Sequence, residues 1–318
     1  MKVFKFGGAS VKDSDGVRNI LSVLKHTGFN NTLIVVSAMG KTTNALEKVV
    51  HSYFENKEQF PKKFEAVRSN HHQIISGLFS KDKVLVTQKI DALFDEALSF
   101  LFNNTVDNYS LVYDQVVSIG ELASSTIISY YMRHQGIENT WLDARKCIKT
   151  DNYYRDANLD WEKTKTEILI MVKGKSTLIS QGFIGSAPNG MTTTLGREGS
   201  DYSAAIFAYA LVADSVTIWK DVPGVLNGDP REFKDTVLLN QISYREAIEL
   251  AFYGASVIHP KTLQPLQGKE IPLYVKSFEN PIPGSTIILV FDIFFSKALF
   301  IKLSSEPLTS VSYTHLRA

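Results

Sequence analysis

The chain has 318 residues, 44% hydrophobic and 21% charged. That is the composition of a folded globular protein with one large or two ordinary domains, and it excludes a disordered chain. Lys and Arg number 34 against 33 Asp and Glu, so bulk charge gives no reason to bind nucleic acid or an anionic membrane, though a local basic pocket stays open. The single cysteine, Cys147, excludes an intramolecular disulfide or a multi-Cys zinc site. With no apolar secretory core in "MKVFKFGG", it makes the cytoplasm the expected compartment.

In chain order, "KVFKF" predicts a short buried strand, then the turn Gly7-Gly8 and a helix carrying Val17, Ile20, Leu21 and Leu24 at helical spacing. "TLIVVSAM" predicts a second strand and Asn44–Phe54 a helix. Residues 60–103 are polar and helical in pattern, an expected helical insertion of lid or cap type. "VYDQVVSIGELASSTIISYYMRH" predicts a long buried helix, or a strand end running into one. "TWLDARK" and "STLISQGFIG" predict strands, "SDYSAAIFAYALVA" a helix, "SVTIWKD" a strand, "SYREAIELAFYGAS" a helix and "IPLYVKSF" a strand. Continuously apolar strands alternating with helices predict an α/β fold, a mainly parallel sheet covered on both faces. Ligands of such sheets sit at the carboxyl ends of strands. After "NPIPGS" the alternation stops. "STIILVFDIFFSKALFI" is interrupted by Asp292 and Lys297 and falls short of a membrane span. The final "VSYTHLRA" is similar to a translated sequencing adapter, so residues from about 287 onward are expected not to be native; the alternative is a genuine short tail.

Five stretches carry candidate chemistry. In "KFGGAS", Lys5 ends a strand before a Gly7-Gly8 turn into a helix, which makes either an anion site or a tight turn with a surface lysine. In "VVSAMGKTTNAL", Gly40-Lys41-Thr42 looks like the end of a P-loop, but Val35 stands where that motif needs glycine. What remains is a polar turn with Ser37 and Thr43, which also suit helix capping. Glu121, in apolar "QVVSIGELASS", needs a partner: a ligand ammonium or, the commoner outcome, an internal Lys or Arg. In "TLGREGSD", Arg197 offers a fork for a carboxylate, Ser200 or Asp201 can cap the helix, and Asp201 can hold Lys5 or an ammonium. In "IWKDVPGVLNGDPR", Lys220, Asp221 and Arg231 suit a polyphosphate or ribose, or else a hairpin with a solvated rim. The sequence has no G-x-G-x-x-G, G-x-S-x-G or H-E-x-x-H. His71 and His72 are adjacent and face different ways on a helix, a poor metal pair, and His259 is expected to order a helix end before Pro260.

In order, "KFGGAS", "VVSAMGKTTNAL", "QVVSIGE", "LDAR", "QGFIG", "TLGREGSDYSA", "DVPGVLNGDPR", "SYREAIELAFYGASVIHPKTLQPL" and "NPIPGS" resemble the motifs of the aspartate kinases of the amino-acid kinase family, over residues 1 to about 286. The resemblance is to the monofunctional type, cut before its ACT-type regulatory domains. It implies a three-layer αβα sandwich with an eight-stranded, mainly parallel sheet. The N-terminal lobe would bind aspartate and the lobe from about residue 200 would bind ATP. It implies MgATP-dependent phosphorylation of the L-aspartate side chain, the step that opens lysine, threonine and methionine biosynthesis, with Mg2+ held mainly by the ATP phosphates and no metal site in the protein. Full-length members are expected to be homodimers.

By position, Lys5, Gly7, Gly8 and Asp201 are implied in catalysis. Ser37, Thr43, Glu121, Arg197 and Ser200 are implied in binding aspartate, with Arg197 on its α-carboxylate. Lys220, Asp221, Gly224, Val225, Arg231 and Ser256 are implied in binding ATP. The alternatives are a kinase of another carboxylate and a non-catalytic regulatory homologue. The chain departs from the family at Ala9, where Thr is usual, at Glu198 (Gly), at Lys220 (Thr) and at Ser256 (Lys). The last two suggest that Lys220 supplies the phosphate-facing charge that Ser256 lacks. Glu198 is expected to face outward, away from a dicarboxylate.

Overall fold

The computed structural model describes residues 1–229, 232–252, 258–281 and 284–290. Its strands are β1 (Lys2–Phe6), β2 (Thr32–Val36), β3 (Thr140–Leu142), β4 (Thr177–Gln181), β5 (Ile184–Ser186), β6 (Thr192–Thr194), β7 (Ser215–Lys220), β8 (Gln241–Ser243), β9 (Leu273–Ser277) and β10 (Thr286–Leu289). Its helices are α1 (Ser14–Thr27), α2 (Thr42–Glu55), α3 (Phe60–Leu78), α4 (Lys83–Asn103), α5 (Tyr109–Val117), α6 (Ile119–His134), α7 (Ala144–Cys147), α8 (Trp161–Val172), α9 (Gly199–Leu211), α10 (Tyr244–Phe252) and α11 (Pro260–Gln267).

Eight strands form one sheet in the order β3-β4-β2-β1-β7-β9-β10-β8, while β5 and β6 form a separate hairpin. The pairs from β3 to β9 are all parallel; β10 runs antiparallel to β9 and carries β8 parallel to itself. The sheet is therefore mainly parallel, as expected. β2 and β4 are buried at every position, which is why their sequences are unbroken runs instead of alternations. Successive residues feed opposite cores. Phe4, Phe6, Ile34, Val36 and Trp219 pack under α1–α6, whereas Val3, Leu33, Val35, Val216 and Ile218 pack under α8, α9 and α11. Three layers result.

The stretch expected as a helical insertion forms α3 and α4, which bury Phe64, Val67, Ile75, Ile90 and Phe94 against the rest of the first core. The long apolar stretch, expected as one helix or a strand end running into one, is two helices, α5 and α6, abutting at Ser118. Beneath that junction Asp114 is buried and accepts from Arg155 N (3.0 Å), Thr194 N (2.9 Å) and Thr194 Oγ1 (2.8 Å), tying α5 to β6. Burial lifts its carboxyl to about 6. β10 crosses the boundary expected near residue 286: Thr286 to Ile288 register with Val275 to Leu273, so the start of the apolar stretch belongs to the sheet. Residues 291–318 lie outside the described residues. Among the described residues no helix is long and apolar enough to cross a membrane.

Strand order locates the site. β1 has β2 on one side and β7 on the other. Beyond β1 on one side lie β2, β4 and β3, all from the first part of the chain; on the other lie β7, β9, β10 and β8, all from the second. The carboxyl ends of β1 and β7 therefore flank a topological switch point, where a crevice opens in a sheet of this kind.

Candidate active site

A cleft of about 340 Å³ lies there. Lys5 comes from the end of β1, Ser37 and Ala38 follow β2, Lys220 ends β7, and Thr43, Glu121, Ser200 and Asp201 come from the first turns of α2, α6 and α9. Its base is the paired glycine turns. Gly40 N donates to Gly8 O (3.0 Å), and a Cβ on Gly8 would stand 2.9 Å from Gly40 O and 3.1 Å from Ala38 O. A Cβ on Gly7 would stand 3.2 Å from Lys5 Nζ. Both turns need glycine because backbone approaches backbone, or the lysine head, at van der Waals limit.

Lys5 and Val3 point to the α9 side of the sheet, which aims the lysine at the helix start. Lys5 Nζ stands 2.6 Å from Asp201 Oδ1 and Lys220 Nζ 3.7 Å from Oδ2, with the Asp201 side chain 4% exposed. The Lys5 contact is ionic without hydrogen-bond alignment, since Asp201 Oδ1 has no aligned donor. One carboxylate is shared by two ammonium groups at this end of the cleft.

The other end is acidic. Glu121 is 2% exposed, and its Oε1 accepts only a long bond from Ala38 N (3.4 Å). Oε2 has no partner at all. No Lys or Arg among the described residues pairs with Glu121, so the internal ion pair that is the commoner fate of such an acid is not formed. Burial raises its carboxyl to about 8.

The turn before α9 corrects two expectations. Ser200 is not the cap, because α9 begins at Gly199 and the N-cap is Glu198, in the left-handed region (φ 53°) and without a side-chain cap bond. Ser200 instead lines the cleft, packed so closely on the β4–β5 turn that a Cβ on Gly182 would fall 2.6 Å from its Cβ. Glu198 does not face outward: it is half-buried on the cleft wall, and its Oε2 accepts from His259 N (3.0 Å). That bond turns the charge toward the start of α11. His259 caps α11 as expected, with Nδ1 accepting from Lys261 N (3.2 Å). Arg197 is exposed and is not among the residues that line the cleft.

On the far side of β7, Asp221 is exposed. Gly224 and Val225 lock the turn onto β10 and do not line the cleft. A Cβ on Gly224 would stand 2.5 Å from Thr286 Oγ1, and Val225 is buried with its N–H donating to that oxygen (2.8 Å). Arg231 and Ser256 lie outside the described residues. Sequence reasoning missed Phe183, which lines the cleft with φ 70° and would meet any Cβ on Gly199 at 2.6 Å. Its N–H donates to Ser203 Oγ (2.8 Å), and its only trace in the sequence is its place after Gly182.

A switch-point cleft with a glycine turn, two lysines and a buried acid defines a phosphate-handling α/β protein. The amino acid kinase family model matches residues 1–277, and the chain belongs to that family. It is 34% identical over 290 residues to lysine-sensitive aspartokinase 3 of Escherichia coli, covering 90% of this chain and 63% of that protein. It is 31% identical over 296 residues to the chloroplastic bifunctional aspartokinase/homoserine dehydrogenase of Daucus carota, covering 90% and 32%. The crystal structure of E. coli aspartokinase III in complex with aspartate and ADP superposes with a TM-score of 0.84 at 32% identity, over 92% of this chain and 65% of that one. The chain thus spans from about a third to just under two thirds of the length of these relatives.

Proposed function

We propose that the chain is the catalytic part of an aspartate kinase, which transfers the γ-phosphoryl group of ATP to the side-chain carboxylate of L-aspartate. The carrying observation is the polarity of the cleft, with an unpaired buried carboxylate at one end and the Lys5–Asp201–Lys220 group at the other. An amino acid with an acidic side chain satisfies both: its ammonium meets Glu121 and Ser37 and Thr43 supply hydroxyls, which points the side-chain carboxylate toward Lys5. Arg197 reaches the α-carboxylate if it swings in from the rim. ATP approaches from the β7 side, past Lys220 and Asp221, with Arg231 and Ser256 assigned to it from sequence alone. The two halves of the sheet thus correspond to the aspartate and ATP lobes. The full-length protein is proposed to be a cytoplasmic homodimer.

The attacking carboxylate is ionised at neutral pH, so no general base is required. One of its oxygens forms the bond to the γ-phosphorus while the bond from that phosphorus to the β–γ bridging oxygen breaks; ADP leaves with the electron pair and an acyl phosphate remains. The protein's part is alignment and neutralisation of charge. Lys5 and the N–H groups of the Gly7-Gly8 turn face the transferring group. Asp201 holds both lysines in place. One carboxylate already shared by two ammonium groups is a poor cage for an ion and fits Mg2+ that arrives on the ATP phosphates, where it would screen their charge.

A coupled ADP-release assay with aspartate and glutamate as acceptors tests the reading. Turnover with aspartate at least tenfold above glutamate is expected; equal turnover would favour a kinase of another carboxylate, and none with either a non-catalytic homologue.

A further inference from the structure

The β2–α2 turn has a second face. Behind Gly40, which lines both spaces, a hollow of about 410 Å³ opens between α2 and α3, larger than the cleft itself. Four lysines ring it: Lys12, Lys41, Lys48 and Lys63. Lys41 and Lys48 stand seven residues apart on one face of α2 with Ala45 between them, and Lys63 and Val67 share the facing side of α3. The Lys12 stem lies against Gly40, whose Cβ position is 3.5 Å from Lys12 Cβ. No acidic residue lines the hollow, and none of the four lysines is in an ion pair among the described residues. Lys63 is held by its bond to Ser52 Oγ. The floor is apolar, formed by Met39, Ala45 and Val67.

We infer that this hollow binds an organic phosphate with an apolar body. Four lysines without counter-ions around one hollow give it a positive potential, which a dianion would neutralise. The apolar floor rewards a hydrocarbon or aromatic body and gives nothing to a bare inorganic ion. The motif Gly40-Lys41-Thr42, which is not a P-loop, finds a use here: Lys41 places its charge at the start of α2, where the helix dipole adds to it. The substrate cleft is separate, since Ser37, Ala38 and Thr43 face the cleft whereas Met39, Lys41 and Thr42 face the hollow. The inference rests on the lining of the hollow, and only the cleft-filling step of its test rests on the kinase reading; titration without that step separates the two.

Fluorescence titration with 1-naphthyl phosphate at low salt tests it, with the cleft first saturated with a non-hydrolysable ATP analogue and aspartate. Binding at one site is expected, weakened at least tenfold in Lys48→Glu/Lys63→Glu and falling with added salt. A control pair on the far surface, Lys165→Glu/Lys173→Glu, is expected to bind as the parent does. The inference is overturned if the first pair binds unchanged, or if the control pair weakens binding equally, which would make it bulk charge. It also fails if 1-naphthol binds as tightly as its phosphate, or inorganic phosphate as tightly as either, or if filling the cleft abolishes binding. All the substituted lysines are exposed, and a circular dichroism melt confirms that each variant is folded.

Discussion

Glu121 carries a prediction that separates its role as a ligand from its role as a buried acid. In the free protein burial pushes its carboxyl up to about 8, against an ordinary 4.5, and the backbone N–H groups of Glu121 itself and of Ala38 do not offset it. At pH 7 roughly nine tenths of it is protonated, and an ammonium can pair only with the remainder. Binding must then release a proton, so the aspartate KM should fall about tenfold per pH unit between pH 6 and 8 and level off above. The stability of the free protein runs the other way. The folded state holds a proton that the unfolded state loses above 4.5, so the contribution of Glu121 to stability is greatest below that value and declines by about 1.4 kcal/mol per unit as pH rises towards 8. Glu121→Gln keeps size and an acceptor for Ala38 N but removes the titration. It should raise the aspartate KM about a hundredfold, the scale of a lost buried charge pair near 3 kcal/mol, flatten the KM–pH profile, and melt a few degrees above the parent at pH 8. Steady-state kinetics and calorimetry across pH 6–8.5 read both. A parent KM independent of pH, or a Gln variant with the parent's KM, would refute the reasoning.

Lys220→Thr should raise the KM for ATP at least tenfold with little change for aspartate; an unchanged ATP KM would end the case that Lys220 substitutes for a lysine at position 256. Gly8→Ala should cost about 1–3 kcal/mol in stability and more than tenfold in kcat, since its methyl meets two carbonyl oxygens at 2.9 and 3.1 Å; wild-type kcat in a denaturation-checked variant would contradict it. Glu198→Gly should leave stability within about 1 kcal/mol, because release from a left-handed backbone offsets the lost bond to His259 N. It should lower the aspartate KM by removing an acid from the cleft wall, and a raised KM counts against that placement. Arg197→Ala should raise the aspartate KM tenfold or more if the side chain closes over the α-carboxylate; an unaffected KM confines Arg197 to the rim.

The parts of the fold legible in the sequence are those buried on both sides. β1, β2, β4 and β7 carry apolar residues on both faces because their apolar residues feed one core or the other. β6 is three threonines and β8 is Gln-Ile-Ser, too short and too polar to stand out. α8 buries only Thr164, Ile168 and Val172, one residue per turn, so it leaves almost no stripe. In the site, Lys5, Gly8, Ser37, Thr43, Glu121, Ser200, Asp201 and Lys220 converge on one cleft because each ends a strand or opens a helix at the switch point. The misjudged residues sit on special backbone. Gly196 at φ 76° and Glu198 at φ 53° reverse the chain on either side of Arg197, and no side-chain pattern announces which way the arginine then points. Phe183 at φ 70° is the same case.

The free cleft keeps its buried acid and its lysines apart. Lys5 and Lys220 spend their charge on Asp201, while Glu121, also buried, is left with an empty acceptor and pays the desolvation by staying mostly protonated. Were Glu121 within reach of Lys5, the two would neutralise each other and the site would recognise nothing charged. Held apart, they favour one orientation of a bound amino acid. Reversed, its ammonium would face two lysines, a like-charge placement that costs several kcal/mol, and Glu121 would lose the cation that favours its ionised form. The orientation that remains puts the side-chain carboxylate beside Lys5 and the glycine turn, where a phosphoryl group would enter. Under the proposed function, substrate polarity and direction of attack would follow from a single choice, the pairing of Asp201 with both lysines and of Glu121 with no lysine.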